Sequence, residues 1–236
     1  MRTLGLVGGM SWYSTSEYYR VINEGVQRAR GGHTSARIAL QSLDFSEIRD
    51  CQRAGDWQRA GALLGEAAQR CEAAGAETVL ICTNLMHKVA PAVAQRIGVP
   101  LLHIADAIAD QAEAEGWRTL GLIGTQWVME EDFYTERLRE RGLQVLVPEQ
   151  VDRVEADRVI FDELTQGVVR EGSRAAFVRM VTELGNRGAD AVVLGCTEIE
   201  LLVRPSDVAV PLLDSMRAHA EAAVTFALRD IEGVNP

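Results

Sequence analysis

Three segments of the chain recur about 115 residues later, in the same order. The pairs are LGLVGG (4–9) with LGLIGT (120–125), GAETVLICTN (75–84) with GADAVVLGCTE (188–198), and VPLLHIADA (99–107) with VPLLDSMRA (210–218). The offsets between the first residues, 116, 113 and 111, are nearly constant. Self-similarity at one period indicates two related units, so the fold has to contain two copies of one topology.

Each half reads as strands alternating with helices. Apolar runs without period-two alternation predict parallel strands buried on both faces, at 3–7, 37–43, 77–81 and 99–103. Segments 56–74 and 173–185 carry apolar residues at steps of three and four and predict helices, the second with Ser173 as N-cap. We therefore expect an α/β fold of two pseudo-symmetric, doubly wound domains with parallel sheets and the active site in the interdomain cleft.

Composition restricts the partners. The 236 residues carry a formal net charge of −10, with an isoelectric point near 5.0, which argues against nucleic acid or an anionic membrane as a partner. The sequence contains no run of 18 apolar residues, so we expect no transmembrane helix. Its first residues, MRTLGLVGGMSW, predict a strand and lack the pattern of a signal peptide. We expect a cytoplasmic protein whose partner is a small molecule.

The four cysteines, at 51, 71, 82 and 196, do not have the spacing of a zinc site, so we expect free thiols and no metal. Cys71 lies on the apolar stripe of its predicted helix and is assigned to the core, and Cys51 has no counterpart in the second half. Cys82 and Cys196 follow equivalent strands and precede polar residues. A single cysteine is more often a small core residue, but this matched placement favours a functional role for the pair.

Two thiols on opposite walls of one cleft suit a particular reaction. A base on one face of a carbon acid and an acid on the other invert a stereocentre, and hydrogen bonds in a water-poor pocket can stabilise the carbanion without a cofactor. Neighbouring groups or a helix N-terminus can bring a thiol pKa into the working range.

Several segments resemble the aspartate/glutamate racemase family, whose members are cofactor-independent two-cysteine enzymes. The resemblance is closest to the bacterial aspartate or broad-specificity branch. It rests on GGMSWYSTSEYY (8–19), DFSEI (44–48), QRAGDW (52–57), ICTNLMHK (81–88), IFDEL (160–164) and GCTEIELLV (195–203). The resemblance implies that no cofactor is needed, that the protein is a homodimer, and that the C-terminal strand and helix return to the first domain. The expected domains are then 1–99 plus 208–236, and 100–207.

The resemblance also implies roles for individual residues. Cys82 would act on the D-isomer and Cys196 on the L-isomer of an amino acid. The substrate-binding residues would be Met10, Gln52, Arg53, Thr83, Asn84, Leu85, Thr125, Thr197 and Glu198. From its place beside Cys196, Glu198 could raise the pKa of that thiol, bind the substrate ammonium or begin a helix, and the last two roles together are the favoured interpretation.

Two positions depart from the family pattern. Leu85 stands where the family has a threonine, and Glu155 stands where members that act on acidic substrates carry a lysine. The missing cation weakens the expectation of an aspartate or glutamate substrate, unless Arg53 compensates. A neutral amino acid or broad specificity is therefore an open alternative.

Other functions also remain open. Within the superfamily they are hydantoin racemisation and maleate cis–trans isomerisation, and outside it a non-catalytic two-domain binding protein. His87 and His103 follow strand ends and are interpreted mainly as structural residues.

Overall fold

Strands and helices alternate throughout the part of the chain that the computed structural model describes, residues 1–229. The chain divides into two compact units, Met1–His103 with the chain from His219 onward, and Ile104–Ala218. The elements before Ile104 are β1 (Thr3–Gly8), α1 (Trp12–Arg30), β2 (Arg37–Ser42), α2 (Phe45–Ala54), α3 (Trp57–Ala73), β3 (Thr78–Ile81), a 3₁₀ turn (Leu85–Val89), α4 (Ala90–Ala94) and β4 (Leu101–Leu102).

The second unit has the same plan with additional short elements. They are α5 (Ile104–Glu115), β5 (Thr119–Gly124), α6 (Gln126–Glu130), α7 (Asp132–Glu140), β6 (Gln144–Leu146), α8 (Gln150–Asp162), a 3₁₀ turn (Leu164–Gln166), α9 (Glu171–Asn186), β7 (Ala191–Gly195), two 3₁₀ turns (Thr197–Leu201 and Pro205–Asp207) and β8 (Leu212–Asp214). The last helix, α10 (Ser215–Leu228), begins in the second unit, and its residues from His219 belong to the first.

Each unit contains one parallel four-stranded sheet. The strand orders are β2-β1-β3-β4 and β6-β5-β7-β8, so the two halves of the sequence build the same topology. This confirms the predicted α/β fold of two related units with parallel sheets. In each sheet the second strand lies on one side of the first and the third strand on the other, so the strand order reverses between β1 and β3 and between β5 and β7. Open α/β sheets bind ligands at such a switch point.

Burial follows strand position. The central strands are almost entirely buried, as their continuous apolar sequences predict. The prediction of full burial was wrong for β2, whose residues are half-buried or exposed and whose Leu40 is 41% exposed. The reason is that β2 lies at the edge of its sheet and pairs only with β1.

The helices follow their predicted amphipathic pattern. In α3 the Asp56 side chain accepts the Arg59 N–H at 2.9 Å and caps the helix, while Leu64 and Cys71 lie on its buried face.

In α9 the predicted N-cap, Ser173, was wrong. The helix begins at Glu171, and the Ser173 hydroxyl instead donates to the buried Glu163 carboxylate at 2.6 Å. No described helix combines the length and apolar character needed to cross a membrane.

The C-terminal strand differs from expectation. β8 pairs with β7, so residues 212–214 complete the second sheet instead of returning to the first domain. The units divide at 103/104 and at 218/219, whereas the sequence predicted 99/100 and 207/208. Residues 230–236 of the predicted first domain lie outside the described residues.

Gly9, the residue after β1, is expected to be intolerant of any side chain. Its φ is +90°, and a Cβ atom would overlap the Leu43 backbone. Gly9→Ala should therefore lower the free energy of unfolding by about 2–5 kcal/mol, from left-handed strain and overpacking together. Denaturant unfolding followed by circular dichroism measures this change.

Gly55→Ala provides the matched control. Gly55 also has a positive φ, +68°, but a Cβ atom there would meet nothing within 4 Å. This variant should lose only the strain contribution, about 1–2 kcal/mol. Equal losses in the two variants would contradict the inferred overlap at Gly9.

Candidate active site

Cys82 lies directly beyond β3, at the carboxyl end of a central strand. Its backbone N–H donates to the Val7 carbonyl at 2.9 Å, and its own carbonyl accepts the Ser14 hydroxyl at 3.1 Å. The side chain is fully buried. These contacts hold the thiol beside the point where the strand order of the first sheet reverses.

Both thiols in this part of the first unit are protonated at neutral pH. Burial raises the pKa of Cys82 well above its ordinary value, and the neighbouring Cys71 raises it further. Burial also raises the pKa of Cys71, to about 11. The Cys71 sulfur lies 3.4 Å from the Ala39 carbonyl and 3.7 Å from that of Leu6, in agreement with the predicted core position. Ionisation of Cys82 therefore requires a change in its surroundings.

The residues after Cys82 form a tight turn that contains two polar residues, Thr83 and Asn84. The Thr83 N–H donates to the Ile81 carbonyl at 2.9 Å, and Asn84 is 3% exposed. Leu85 begins the following 3₁₀ turn and is also buried. The turn therefore supplies one hydroxyl and one amide, whereas Leu85 supplies only hydrocarbon.

Gln52 connects α2 to the segment that follows Cys82. Its side chain is buried, with Nε2 donating to the Met86 sulfur at 3.2 Å and Oε1 accepting from the Arg49 guanidinium at 2.8 Å. Met10 is buried two residues beyond β1. The structure therefore brings Gln52 to the Cys82 side of the first unit.

Arg53 and Glu155, the two positions considered for the missing positive charge, carry no cation into a buried site. The Arg53 side chain is 71% exposed and lies 4.0 Å from the Asp50 carboxylate on its own helix. Glu155 accepts two hydrogen bonds from Arg158, at 2.8 and 3.0 Å. The structure thus leaves the positive charge of Arg53 in solvent.

Cys196 lies at the equivalent position in the second unit, directly beyond β7. Its Sγ donates to the Glu198 carboxylate oxygen Oε2 at 3.1 Å, and the Thr197 hydroxyl donates to the same oxygen at 2.7 Å. The three side chains are half-buried, and Thr197 begins a 3₁₀ turn. The second thiol therefore has a carboxylate partner, whereas the first is followed by Thr83 and Asn84.

The environment of Cys196 favours the neutral thiol. Its pKa is raised well above the ordinary value, first by burial and then by the negative charge of Glu198, with a smaller contribution from Asp157. The backbone hydrogen bond from Glu198 acts in the opposite direction.

Thr125 directly follows β5, whose last residue, Gly124, is paired with Gly195 of β7. The Thr125 side chain is 5% exposed, and its hydroxyl oxygen is buried without a hydrogen-bond partner within the described chain. Buried hydroxyls are normally satisfied, because an unmet hydrogen bond costs about 1–3 kcal/mol. Thr125 is thus a hydroxyl available to a ligand, at the end of the strand next to β7.

Sequence reasoning missed Asp157, which lies on α8. Its Oδ1 accepts the Gln126 N–H at 2.8 Å, and its charge acts on the Cys196 thiol. Helical periodicity provided a signal, since Asp157 borders the buried face formed by Ala156 and Ile160.

A cavity of about 300 Å³ opens beside Asp157. It is lined by Gln126, Trp127, Glu130, Glu131 and Asp157. Although three of these side chains are carboxylates, no group of His, Cys, Asp and Glu residues within 1–229 is arranged to hold a metal ion. The cavity therefore places negative charge along α6, the helix that directly follows Thr125.

Comparison with known proteins places these features in a family. The Asp/Glu/hydantoin racemase family model matches residues 7–223. A candidate Asp/Glu racemase from Yersinia pestis is 47% identical, with a TM-score of 0.91, over 97% of this chain and 100% of that one. An aspartate racemase homologue from Pyrococcus horikoshii is 31% identical, with a TM-score of 0.81, over 96% and 99% of the two chains.

A curated relative extends the similarity to an amino-acid racemase. The broad-specificity amino-acid racemase RacX of Bacillus subtilis is 19% identical over 95% of this chain and 98% of its own length. The family predicted from the sequence motifs is confirmed, since the family model and both structural relatives span nearly the whole chain. The chain belongs to the Asp/Glu/hydantoin racemase family, a family of isomerases.

Proposed function

We propose that this protein is an amino-acid racemase that needs neither pyridoxal phosphate nor a metal, and in which Cys82 and Cys196 transfer protons at opposite faces of one α-carbon. The observation that carries the proposal is the equivalence of the two thiols. Each directly follows the third strand of its own unit, β3 or β7, beside the first strand of the same unit.

The proposed reaction is balanced by the two thiols alone. One thiolate removes the α-hydrogen as a proton and becomes a thiol, and the electron pair remains on the substrate as a carbanion delocalised into its carboxylate. The other thiol then gives its proton to the opposite face and becomes a thiolate. Each turnover exchanges the roles of Cys82 and Cys196, so the reverse reaction starts from the product state.

Glu198 supplies a route to the first thiolate. Transfer of the Cys196 proton to the Glu198 oxygen 3.1 Å away gives a thiolate and a carboxylic acid without changing the net charge of the pair. The Thr197 hydroxyl, bonded to the same oxygen, keeps the carboxylate in place. We therefore propose that Cys196 rests as a thiol and forms its thiolate by this transfer during turnover, whereas Cys82 has Asn84 in place of a carboxylate.

The substrate amino and carboxylate groups need hydrogen-bonding partners at both strand ends. Thr83 and Asn84 in the first unit are proposed partners, and in the second unit the Thr197 oxygen, whose hydrogen is donated to Glu198, is the proposed acceptor for the substrate amino group. The buried hydroxyl of Thr125 supports this proposal, because a substrate carboxylate would satisfy it. Such donors also stabilise the negative charge that develops on the carboxylate in the transition state.

The charges argue for a neutral substrate side chain or broad specificity, and against aspartate or glutamate. Glu198 and Asp157 both act on Cys196 as negative charges, and Arg53 extends into solvent. A second substrate carboxylate would lose a charged hydrogen bond of about 1.5–3 kcal/mol and meet like charge instead.

The test compares substrates that differ only in charge. Asparagine and aspartate, and glutamine and glutamate, are incubated with the protein in deuterium oxide, and incorporation at the α-carbon is followed by NMR. The amide of each pair should have a kcat/KM about 10–150-fold higher, the ratio that corresponds to one charged hydrogen bond. Faster exchange of the acids would contradict the charge argument and leave the racemase proposal standing.

The same assay separates the alternative functions. 5-Substituted hydantoins and maleate are included as substrates, because related enzymes act on such compounds. Turnover of one of these compounds, without exchange of any amino acid, would favour the corresponding alternative, hydantoin racemisation or maleate isomerisation. Absence of turnover with every compound would contradict a catalytic function.

A further inference from the structure

We propose that His87 is a positioning residue that orients the Cys82 loop, defined as residues 82–84, and thereby the thiol itself. The assignment rests on the proposed function, since it gives Cys82 a proton-transfer role. His87 is 1% exposed and lies in the 3₁₀ turn that follows this loop. Its ring and its backbone bind the two residues next to the thiol.

Two hydrogen bonds join His87 to the loop. The ring nitrogen Nδ1 lies 2.8 Å from the Thr83 carbonyl oxygen, and the backbone N–H donates to the Asn84 carbonyl at 3.1 Å. A carbonyl oxygen can only accept, so Nδ1 carries a hydrogen. His87 therefore holds the carbonyl groups of Thr83 and Asn84, the two residues that directly follow Cys82.

The ring of His87 is supported by two further imidazoles. Its centroid lies 4.5 Å from that of His103 and 5.6 Å from that of His219, with interplanar angles of 66° and 65°. These neighbours are also buried, at 7% and 0% exposure. We call His87, His103 and His219 the imidazole cluster.

The hydrogen bonds of His219 anchor this cluster to three elements. Its Nε2 lies 2.9 Å from the Leu102 carbonyl and therefore carries the hydrogen, so Nδ1 accepts the Tyr18 hydroxyl at 2.8 Å. The His219 side chain, which extends from α10, thus connects β4 to α1. The imidazole cluster thus connects the Cys82 loop, through His87 and His219, to α1 and β4.

The His87 ring is uncharged at neutral pH. Burial, followed by the neighbouring His103 and His219, lowers the pKa of His87 well below its ordinary value. A neutral ring has one N–H donor and one acceptor, which suits a fixed support and not a proton donor. We therefore assign His87 an orienting role and leave proton transfer to Cys82.

The experiment compares His87→Leu with His87→Asn. Leucine fills much of the ring volume without a donor, whereas the asparagine amide can place an N–H near the position of Nδ1. His87→Leu should lower kcat/KM about 30-fold or more, because a misplaced reacting group can cost about 10²-fold. His87→Asn should recover at least a third of the normal value, and His33→Leu, at an exposed histidine, should change nothing.

Alkylation provides a readout that does not depend on racemase activity. The protein is treated with iodoacetamide, and the modification of Cys82 and of Cys196 is measured separately on peptides by mass spectrometry. In His87→Leu the buried Cys82 should react at least fivefold faster, while Cys196 keeps its rate and serves as the internal control. His87→Asn should leave both rates near those of the unmodified sequence.

Three outcomes would overturn the assignment. They are an unchanged Cys82 alkylation rate in His87→Leu, equal acceleration at both cysteines, or an asparagine variant no better than the leucine variant. Failure of the proposed function has a different signature. In that case no amino acid is exchanged, yet the selective change at Cys82 is still observed.

Discussion

Replacement of either proposed catalytic cysteine, Cys82 or Cys196, by serine should stop inversion while leaving proton exchange with one enantiomer. In Cys196→Ser the interconversion of the two enantiomers should fall by about 10²–10⁴-fold, the contribution of a positioned acid or base. The serine hydroxyl is too weak an acid to replace the thiol. Cys82 remains, and it should still remove and return the α-proton on its own face of the carbon.

The two serine variants should retain exchange with opposite enantiomers. Family resemblance assigns Cys82 to the D-isomer, so Cys196→Ser should exchange the α-hydrogen of D-substrate only, and Cys82→Ser that of L-substrate only. Deuterium incorporation is measured by NMR, and inversion by chiral chromatography of the same samples. The pattern distinguishes two thiols acting on opposite faces from two thiols acting on one.

Cys51→Ala is the control for loss of a thiol. Cys51 is buried in α2 and lies outside the proposed machinery, so this variant should racemise at the normal rate. Inversion at an undiminished rate in either serine variant would contradict the mechanism. Exchange of the same enantiomer in both variants would contradict the assignment of opposite faces.

Glu198→Gln should change the pH dependence of racemisation as well as its rate. Glutamine removes the negative charge that raises the pKa of Cys196, so the thiol pKa moves down. It also removes the group that accepts the thiol proton, so the thiolate can form only by loss of that proton to solvent. At pH 7 the rate should fall by about 10²-fold, the lower end of the range for a positioned acid or base.

The pH dependence of kcat tests whether Glu198 accepts the Cys196 proton. With Glu198 present, the Cys196 proton can pass to the carboxylate without being lost to solvent, so kcat should vary little between about pH 6 and 8. In Glu198→Gln, kcat should rise tenfold per pH unit until the thiol pKa is reached. The pH midpoint for alkylation of Cys196 should also be lower than in the unmodified sequence.

Glu200→Gln makes the same charge change two residues further along. Glu200 is exposed in the same 3₁₀ turn and is not part of the proposed pair, so both pH profiles should stay unchanged. A flat profile in Glu198→Gln, or an upward shift of the Cys196 alkylation midpoint, would contradict the proton-holding role of Glu198.

Much of the fold was predictable because its signals are local. The repeated strand sequences indicated two related parallel sheets, and helix periodicity placed Leu64 and Cys71 on the buried face of α3. The errors arose where a pattern has two structural meanings. An apolar run such as β2 fits a central or an edge strand, and Ser173 near a helix start fits a cap or a partner for Glu163.

The repeat and the polar residues after each strand were enough to select Cys82 and Cys196, because the carboxyl end of a parallel strand is a local property of the chain. Asp157 was not selected, since its relevance depends on how α8 is rotated about its axis. Two residues along a helix turn the side chain by about 200°, which separates Glu155, paired with Arg158, from Asp157, whose charge acts on Cys196. Tyr18 and His219 meet across 201 positions. Hydrophobic periodicity records which face of an element is buried, but only packing decides which polar groups from distant elements come into contact.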